Sequence, residues 1–336
     1  MKYKLPILTG LIFAGFLLFG AKNGYQNNSI PPSVKAQTAT TLENNSSLNV
    51  GIPIDANGIP TDVQSESRTG QQTADGELLT DPEVILKRAI AQLNSESRFQ
   101  ASVRHKIHMF DQQLVGTGHY RQFGKGSIKR LRFELKTQVG EKTSSVIQVC
   151  DGRHLWTREN LSEGTTLSRI DVRYIQDELA EYERENGVGK LAVNWGANIA
   201  MGGLPRLLTS VDSCFDFISV TEANYEDVPV WVLTGIWKPQ VKQRIIEQFN
   251  SGAQLPAHLP NAVKLILGRD VEFKLLPREI QYLRVLADKT TRPMVSLQLY
   301  DMTRLVDMNA SQFDYQRGEQ VIVDRTQAFI DKHISK

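Results

Sequence analysis

The chain has 336 residues, of which 40% are hydrophobic and 23% are charged, as in ordinary globular proteins that bury a sizeable core. Its 39 basic and 37 acidic residues leave a formal net charge of +2. This balance excludes the basic surplus on which nucleic-acid binding usually depends, so no nucleic-acid partner is expected.

The first 21 residues have the features of a targeting segment. Lys2 and Lys4 make a basic start, and the run from Leu5 to Phe19 is almost wholly apolar, which is typical of an export signal. The apolar run is shorter than the roughly 20 residues that span a bilayer comfortably. A cleaved signal peptide and a retained membrane anchor both stay open. Either one predicts export to the periplasm or cell envelope, with a tether to the inner membrane if the segment is retained.

Residues 22–79 are poor in aromatic residues and rich in Asn, Ser, Thr, Gln, Gly and Pro. They show neither a helical nor a strand periodicity, so they cannot bury enough apolar surface to fold. They are predicted to form a disordered polar linker with an r.m.s. reach of roughly 40 Å. No second segment of this kind divides the rest of the chain, so residues 80–336 are expected to form one domain.

Four segments of this domain have helical signatures. Thr80 or Asp81 is expected to cap the first helix, because both side chains accept hydrogen bonds from a helix start and Pro82 suits the first turn. An amphipathic stripe predicts the second helix, and an apolar segment broken by Gly202-Gly203 predicts a kinked third. The predicted helices after the first are 171–185, 195–211 and 239–249.

Alternating residues predict an antiparallel sheet. From Phe99 to Met109 and from Leu131 to Val139, apolar and polar residues alternate, and a period of two places the apolar set on one face. Asp151-Gly152 predicts a tight turn into a strand that carries Trp156. Further strands are predicted at 215–220, 228–237, 271–275, 280–286 and 295–300, with a loop at 251–260. Since strands and helices do not alternate, the fold class is predicted as α+β, and helices must cover the apolar face.

Motifs that carry catalysis or cofactor binding are absent from the sequence. It contains no phosphate-binding glycine loop, no His-Glu-x-x-His, no Gly-x-Ser-x-Gly and no Cys-x-x-Cys. His105 and His108 are three residues apart on a predicted strand, so they point to opposite faces and cannot share one metal. His154 is interpreted as a solvated turn residue. The sequence therefore predicts a non-enzymatic protein with no catalytic residue, no metal site and no cofactor.

Cys150 and Cys214 are the only cysteines of the sequence. Export would place them in an oxidising compartment, where a disulfide closing a loop of that length contributes roughly 4 kcal/mol. Both lie in apolar, strand-like surroundings, which suit buried thiols equally well. A Cys150–Cys214 disulfide and two free thiols both stay open.

Three short parts of the chain resemble the LolA-like family of outer-membrane lipoprotein carriers. Val149–Trp156 resembles the family's strand, Asp-Gly turn and Leu-Trp strand. Gly202–Leu208 lies where such proteins often carry a helical lid. Asn309–Tyr315, followed by Val321–Asp324, is similar to the family's terminal signature. The resemblance covers about residues 80–333.

The resemblance implies an unclosed, strongly curved antiparallel sheet, a half barrel, with helices over its concave face. Family members hold acyl chains of lipoproteins or other lipids in that cavity and carry them across the periplasm. Acyl chains need apolar area and few hydrogen bonds, since each buried methylene gains about 0.8 kcal/mol. Lipid or lipoprotein acyl chains are therefore the expected partners. The candidate lipid contacts, which are equally candidates for an ordinary core, are Val103, Ile107, Leu131, Phe133, Leu135, Trp156, Trp231, Leu233, Leu297 and Leu299.

The chain departs from the family pattern in its long linker and in an insertion-like segment over residues 251–270. Because the same fold also serves envelope sensors, a second interpretation stays open. In it, the domain has a packed interior and regulates a partner protein of the inner membrane or envelope. The two interpretations differ in whether the interior holds a ligand or only side chains.

Overall fold

A computed structural model describes residues 81–334 with short gaps. The gaps are 110–111, 127–128, 140–141, 162–163, 188–193, 250–253, 257–258, 287, 289 and 317. The predicted targeting segment over residues 1–21 and the predicted linker over residues 22–79 lie outside the described residues.

The described residues contain five α-helices and one short 3-10 helix. The α-helices are α1 (Pro82–Ser95), α2 (Val172–Asn186), α3 (Trp195–Cys214), α4 (Pro239–Phe249) and α5 (Thr326–His333), and the 3-10 helix is Ala310–Phe313.

Twelve strands of the described part of the chain form one sheet. They are β1 (Arg98–Met109), β2 (Gln112–Phe123), β3 (Arg130–Val139), β4 (Lys142–Cys150), β5 (His154–Leu161), β6 (Gly164–Asp171), β7 (Phe215–Tyr225), β8 (Val228–Trp237), β9 (Ala262–Gly268), β10 (Pro277–Val285), β11 (Thr291–Thr303) and β12 (Val323–Asp324).

The sheet is open, and its strand order is β12-β6-β5-β4-β3-β2-β1-β11-β10-β9-β8-β7. Neighbouring strands are antiparallel, except that the two-residue β12 pairs with β6 in parallel. The strands from β1 to β6 follow one another in sequence order, and so do those from β7 to β11. The two runs meet where β1 pairs with β11. The predicted α+β class with an open antiparallel sheet is therefore confirmed.

Helix starts follow the capping rules that the sequence suggested. Asp81 caps α1, because its carboxylate accepts a hydrogen bond from the backbone N–H of Glu83 at 2.9 Å, and Pro82 occupies the first helical position. Asp171 caps α2 in the same way, accepting from the Tyr174 N–H at 3.1 Å.

The region after α4 differs from the prediction. The sequence predicts an insertion-like segment over residues 251–270, but residues 262–268 form β9, and all seven of them are buried. A strand buried on both faces reads as a continuous apolar run, so alternation does not reveal it. The strand predicted at 271–275 is wrong, since these residues form a bend and a turn and Val271 is 98% exposed.

The end of the chain also differs. The apolar run Val321–Asp324 contributes only two residues to the sheet, and Val321 itself is 84% exposed. The helix α5 that follows carries no strong periodic signal. Ile330 on this helix and Ile334 directly after it pack against α2 and the sheet, so tertiary contacts rather than local pattern stabilise the helix.

The two faces of the sheet are covered differently. We call the face that carries Val103, Phe133 and Leu233 the inner face, and the opposite one the outer face. On the inner face, apolar side chains pack against α1, α3 and α4 in one large cluster. Where β3 to β6 extend beyond this cluster, α2, α5 and the first half of α3 cover the inner face in a second cluster.

The chain after β11 crosses part of the outer face. Phe313, which is fully buried, stacks on Phe123 with ring centroids 5.9 Å apart. Tyr315 stacks on Trp156 at 5.6 Å. Phe123, Phe313 and Tyr315 form a small outer cluster with Val149 and its neighbours, and Trp156 adjoins this cluster through Tyr315. The outer face of β2, β4 and β5 is therefore partly apolar as well.

Candidate site between the sheet and the kinked helix

Most of the predicted lipid contacts lie on the inner face. Strand register explains this placement, because directly paired residues project to the same side. Val103 pairs with Leu299, and Trp231 pairs with Leu267. The predicted contacts on this face are Val103, Ile107, Leu131, Phe133, Leu135, Trp231, Leu233, Leu297 and Leu299.

The predicted inner-face position of Trp156 is wrong, because Trp156 lies on the outer face. Across the β4–β5 hairpin, Cys150 pairs with Leu155 and Val149 pairs with Trp156. Cys150 and Leu155 belong to the second inner cluster, so the preceding pair must face outward. There the Trp156 ring stacks on Tyr315. The apolar Leu155 beside it was the sequence signal that could have assigned the inner face correctly.

The inner-face side chains are packed closely. Phe133 is 1% exposed, and Leu131 and Leu233 are fully buried. In the described conformation, helical side chains therefore occupy the space above these three residues. Any ligand of the inner face must displace part of that helical cover.

α3 is the helix that joins the two inner clusters. Its first half contributes Ala197, Ala200 and Met201 to the second cluster, and its second half contributes Leu204 and Leu208 to the large one. Between the halves Gly203 adopts φ 69° and ψ −162°, and the helix kinks there. The predicted break at Gly202-Gly203 is confirmed, and Pro205 follows it inside the helix.

A buried hydrogen-bond chain holds the kink against the sheet. The Leu204 backbone N–H donates to the Tyr120 hydroxyl at 3.2 Å, and that hydroxyl donates to Gln122 at 2.9 Å. The Gln122 amide in turn donates to the Glu96 carbonyl at the end of α1 at 3.0 Å. Tyr120 and Gln122 are both fully buried. No sequence motif predicted these hydrogen bonds. The available signal was two residues with hydrogen-bonding side chains, Tyr120 and Gln122, at alternate positions on the inward face of one strand.

Gly203 is required at the kink. A Cβ atom there would lie 2.3 Å from the Tyr120 hydroxyl oxygen, and the positive φ already disfavours side chains. Gly118 on β2 meets a harder limit, because its Cβ would lie 1.7 Å from the Glu134 carbonyl oxygen. The backbones of β2 and β3 therefore approach each other closely at Gly118.

One row of the inner face is polar. His105, Gly116, Thr137 and Ser144 are successive register partners across β1, β2, β3 and β4. His105, Thr137 and Ser144 are buried, and the Thr137 hydroxyl leans over the space that a Gly116 side chain would fill. Burial lowers the pKa of His105 to about 4, so this imidazole is neutral at pH 7.

His105 and His108 project to opposite faces, as predicted. His105 lies on the inner face, whereas His108 is half-buried on the outer face. Among the residues that the structure describes, no three or more His, Cys, Asp or Glu side chains group around a possible metal position. Within the same residues, none of the helices has the length and apolarity to cross a membrane.

The Asp151-Gly152 turn uses its polar groups for its own structure. The Asp151 carboxylate accepts hydrogen bonds from the Arg153 and His154 backbone N–H groups, both at 2.8 Å, and from the Trp156 indole at 3.2 Å. Partial burial alone would raise the pKa of Asp151, but these donors hold it below its usual value. The turn therefore fixes the β4–β5 hairpin.

The two cysteines are free thiols in the structure. Cys150 belongs to the second inner cluster and Cys214 to the large one, so the disulfide that the sequence left open is not formed. Burial raises the pKa of Cys150 to about 11 and that of Cys214 to about 12. Both groups are therefore protonated, poorly reactive thiols.

No family model and no curated protein sequence matches the chain. Among solved structures it is similar to MucB at 14% identity, with 75% of this chain and 67% of that chain covered and a TM-score of 0.36. A MucA/MucB complex of Pseudomonas aeruginosa is similar at 12% identity, covering 70% and 61%, with a TM-score of 0.34. A LolA superfamily protein from Nitrosomonas europaea is similar at 12% identity, covering 70% and 98%, with a TM-score of 0.29. Likenesses at this distance assign neither a family nor a function to the chain.

Proposed function

We propose that this chain binds the acyl chain of a lipid or lipoprotein between the inner face of its sheet and α3. The observation that carries the proposal is the position of α3. This apolar helix spans both inner clusters, kinks at Gly203 and contacts the sheet at the kink through a Tyr120 hydrogen bond. α3 therefore covers the sheet as two halves that meet at the kink at Gly203.

Within the first half of α3, an acyl chain would take the place of part of the helical cover. Ala197 and Ala200 are small, whereas Ile199 and Met201 are buried in the inner clusters, so the acyl chain must replace the apolar contacts that these two residues lose. An acyl chain then covers the same surface, and each methylene that it buries contributes about 0.8 kcal/mol. The inner-face residues beneath need only be apolar, and no catalytic group is required.

The proposed protein is thus a non-enzymatic binding module. With the export signal that residues 1–21 predict, it would act in the periplasm or cell envelope. There it would either carry lipoprotein acyl chains between membranes or hold a lipid beside an envelope partner protein.

Co-purified lipid tests the proposal directly. The full chain is purified without detergent, extracted with organic solvent and analysed by mass spectrometry, and its binding of the apolar fluorophore N-phenyl-1-naphthylamine is titrated. We expect an acyl lipid in the extract and saturable fluorophore binding. An extract without acyl lipid, combined with no saturable binding, rejects the proposal.

The near-complete burial of the inner face favours a second candidate. Phe133 and Leu299 are each 1% exposed, as in a core that is filled by its own side chains. In this candidate the domain binds no lipid and regulates a partner protein of the envelope through its surface. Substitution of Phe133, described in the Discussion, separates the two candidates.

A further inference from the structure

Three buried polar groups at the start of α3 have no hydrogen-bond partner among the described residues. They are the side-chain amide nitrogen of Asn194, the indole nitrogen of Trp195 and the hydroxyl of Tyr282. Asn194 and Tyr282 are each only 3% exposed. A buried polar group without a partner costs free energy and is uncommon, so three of them in one place need a physical explanation.

The three residues are neighbours. Asn194 is the N-cap of α3 and Trp195 is its first residue. The Trp195 ring stacks on Tyr282 with centroids 3.6 Å apart and an interplanar angle of 16°. Tyr282 projects from β10 on the inner face, in the same row as Val295 and Ile107.

The role of Asn194 as a helix cap does not explain why its side-chain amide nitrogen is buried without a partner. The Asn194 side-chain oxygen accepts the Ala197 N–H at 3.0 Å, which completes the cap and leaves the NH₂ group unused. Trp237 shows the ordinary situation of a buried indole in this protein, because its N–H donates to the Pro260 carbonyl at 2.8 Å. Trp195 differs from Trp237 in lacking such an acceptor.

The chemistry of the three unpaired groups determines which ligand atom they can bind. An indole N–H and an amide NH₂ can only donate hydrogen bonds, and a tyrosine hydroxyl can donate or accept. Asn194 and Trp195 lie at the N-terminus of the first half of α3, the part that precedes the kink at Gly203, and a helix N-terminus favours a partial or full negative charge. A ligand oxygen that accepts hydrogen bonds fits this set, whereas an ammonium group or a hydrocarbon end does not.

We propose that Asn194, Trp195 and Tyr282 bind the carbonyl or carboxylate oxygen at the polar end of an acyl chain. The inference rests on the proposed function and adds the orientation of the bound acyl chain. The polar end of the acyl chain lies at the start of α3, and its methylenes run along the inner face. The free carboxylate of a fatty acid and the ester carbonyl of a lipid share this chemistry.

Competition against a neutral probe tests the site. The full chain binds N-phenyl-1-naphthylamine, and lauric acid, methyl laurate and dodecane are compared as competitors. We expect the acid, the ester or both to displace the probe at concentrations at least tenfold below that of dodecane. Displacement by both compounds assigns a carbonyl site, and preference for the acid alone assigns a carboxylate site.

Conservative variants connect this preference to the three groups. Trp195→Phe and Tyr282→Phe keep the ring stack and remove one donor each, so we expect the preference over dodecane to fall several-fold while the dodecane value stays unchanged. Trp237→Phe and Tyr225→Phe are matched controls, since both lose a donor that already has a protein acceptor. Their preference for the acid or ester should equal that of the unsubstituted chain.

Stability without ligand gives a second measurement. Trp195→Phe removes an unpaired donor, so its urea midpoint should equal or exceed that of the unsubstituted chain, whereas Trp237→Phe should lower it. If dodecane competes as well as the acid and ester, or if Trp195→Phe retains the full preference, the polar site is rejected while acyl binding stands. If neither the probe nor any competitor binds, acyl binding is rejected and the polar site with it.

Discussion

The hydroxyl of Tyr120 on β2 accepts the backbone hydrogen bond of Leu204 at the kink of α3, 3.2 Å away. Because Gly203 interrupts the helix, the Leu204 N–H needs an acceptor from outside the helix. A sheet residue supplies it, and the same hydroxyl continues to Gln122 and to the end of α1. One buried side chain thus connects the sheet with two of the helices that cover it.

Tyr120→Phe should loosen α3 without changing the shape of the core. The variant leaves the Leu204 N–H unpaired and takes a donor from Gln122, so the free energy of unfolding should fall by about 1–3 kcal/mol. Urea denaturation measures the loss, and stopped-flow mixing with the fluorophore should show faster uptake. Tyr174→Phe, at a position that is 47% exposed, is the control and should change stability by less than about 0.5 kcal/mol. Equal stability of the two variants would show that the hydrogen bond does not hold the helix.

Phe133→Ala separates a ligand-lined interior from a packed one. Phe133 faces inward and Phe313 lies in the outer cluster, and both are almost completely buried. In a packed core, each substitution should cost about 3–5 kcal/mol. If acyl chains bind over Phe133, we expect Phe133→Ala to cost less stability than Phe313→Ala and to weaken fluorophore binding, which Phe313→Ala leaves unchanged. A full stability loss at Phe133 with unaltered binding would favour the packed interaction domain.

Acid should destabilise the protein through His105. Its folded pKa of about 4 lies below the unfolded value of 6.5, so between these two pH values the unfolded state binds more protons. The stability gained from keeping His105 neutral is present above pH 6.5 and falls as the pH drops towards 4, by about 3 kcal/mol in total. His105→Leu should remove most of this slope in urea titrations at stepped pH. His108, whose pKa burial also lowers, accounts for a smaller remaining slope, and an unchanged slope in His105→Leu would contradict the assignment.

The two thiols should be inert in the folded protein. Burial raises both pKa values to about 11 and 12, so iodoacetamide at pH 8 should modify neither Cys150 nor Cys214 within an hour. Addition of 6 M urea should expose both to modification, as intact-mass spectrometry would show. Dithiothreitol should leave the urea midpoint unchanged. A lowered midpoint, or alkylation in urea only after reduction, would instead demonstrate a disulfide.

Alternation and caps were enough to predict much of the fold. The strands β1 and β3, the Asp151-Gly152 turn between β4 and β5, the Asp81 cap of α1 and the broken α3 all follow from local patterns, because each has one buried face or a turn or terminus with a defined hydrogen bond. The strand β9 was not predicted, because both of its faces are buried and its sequence shows no alternation. Trp156 was assigned to the wrong face because Leu155 and Trp156 are neighbours and both apolar. Only the pairing of β5 with β4 decides which of the two faces inward.

The polar parts of the candidate site were harder to predict. Tyr120, Trp195 and Tyr282 read in sequence as ordinary aromatic core residues. Their hydrogen-bonding groups gain significance only where β2, β10 and α3 meet. Chain positions 120, 195 and 282 are too far apart for any local pattern to relate them.

The strand order has a consequence for how this protein folds. Both runs of strands, β1 to β6 and β7 to β11, are built from neighbours in sequence and can form rapidly by local contacts. Joining them requires a seam between β1 and β11, where Arg104 meets Gln298 across 194 residues. Closing so long a loop is entropically slow, so the seam should be a late step, and each run would present an unpaired edge to other chains until it closes.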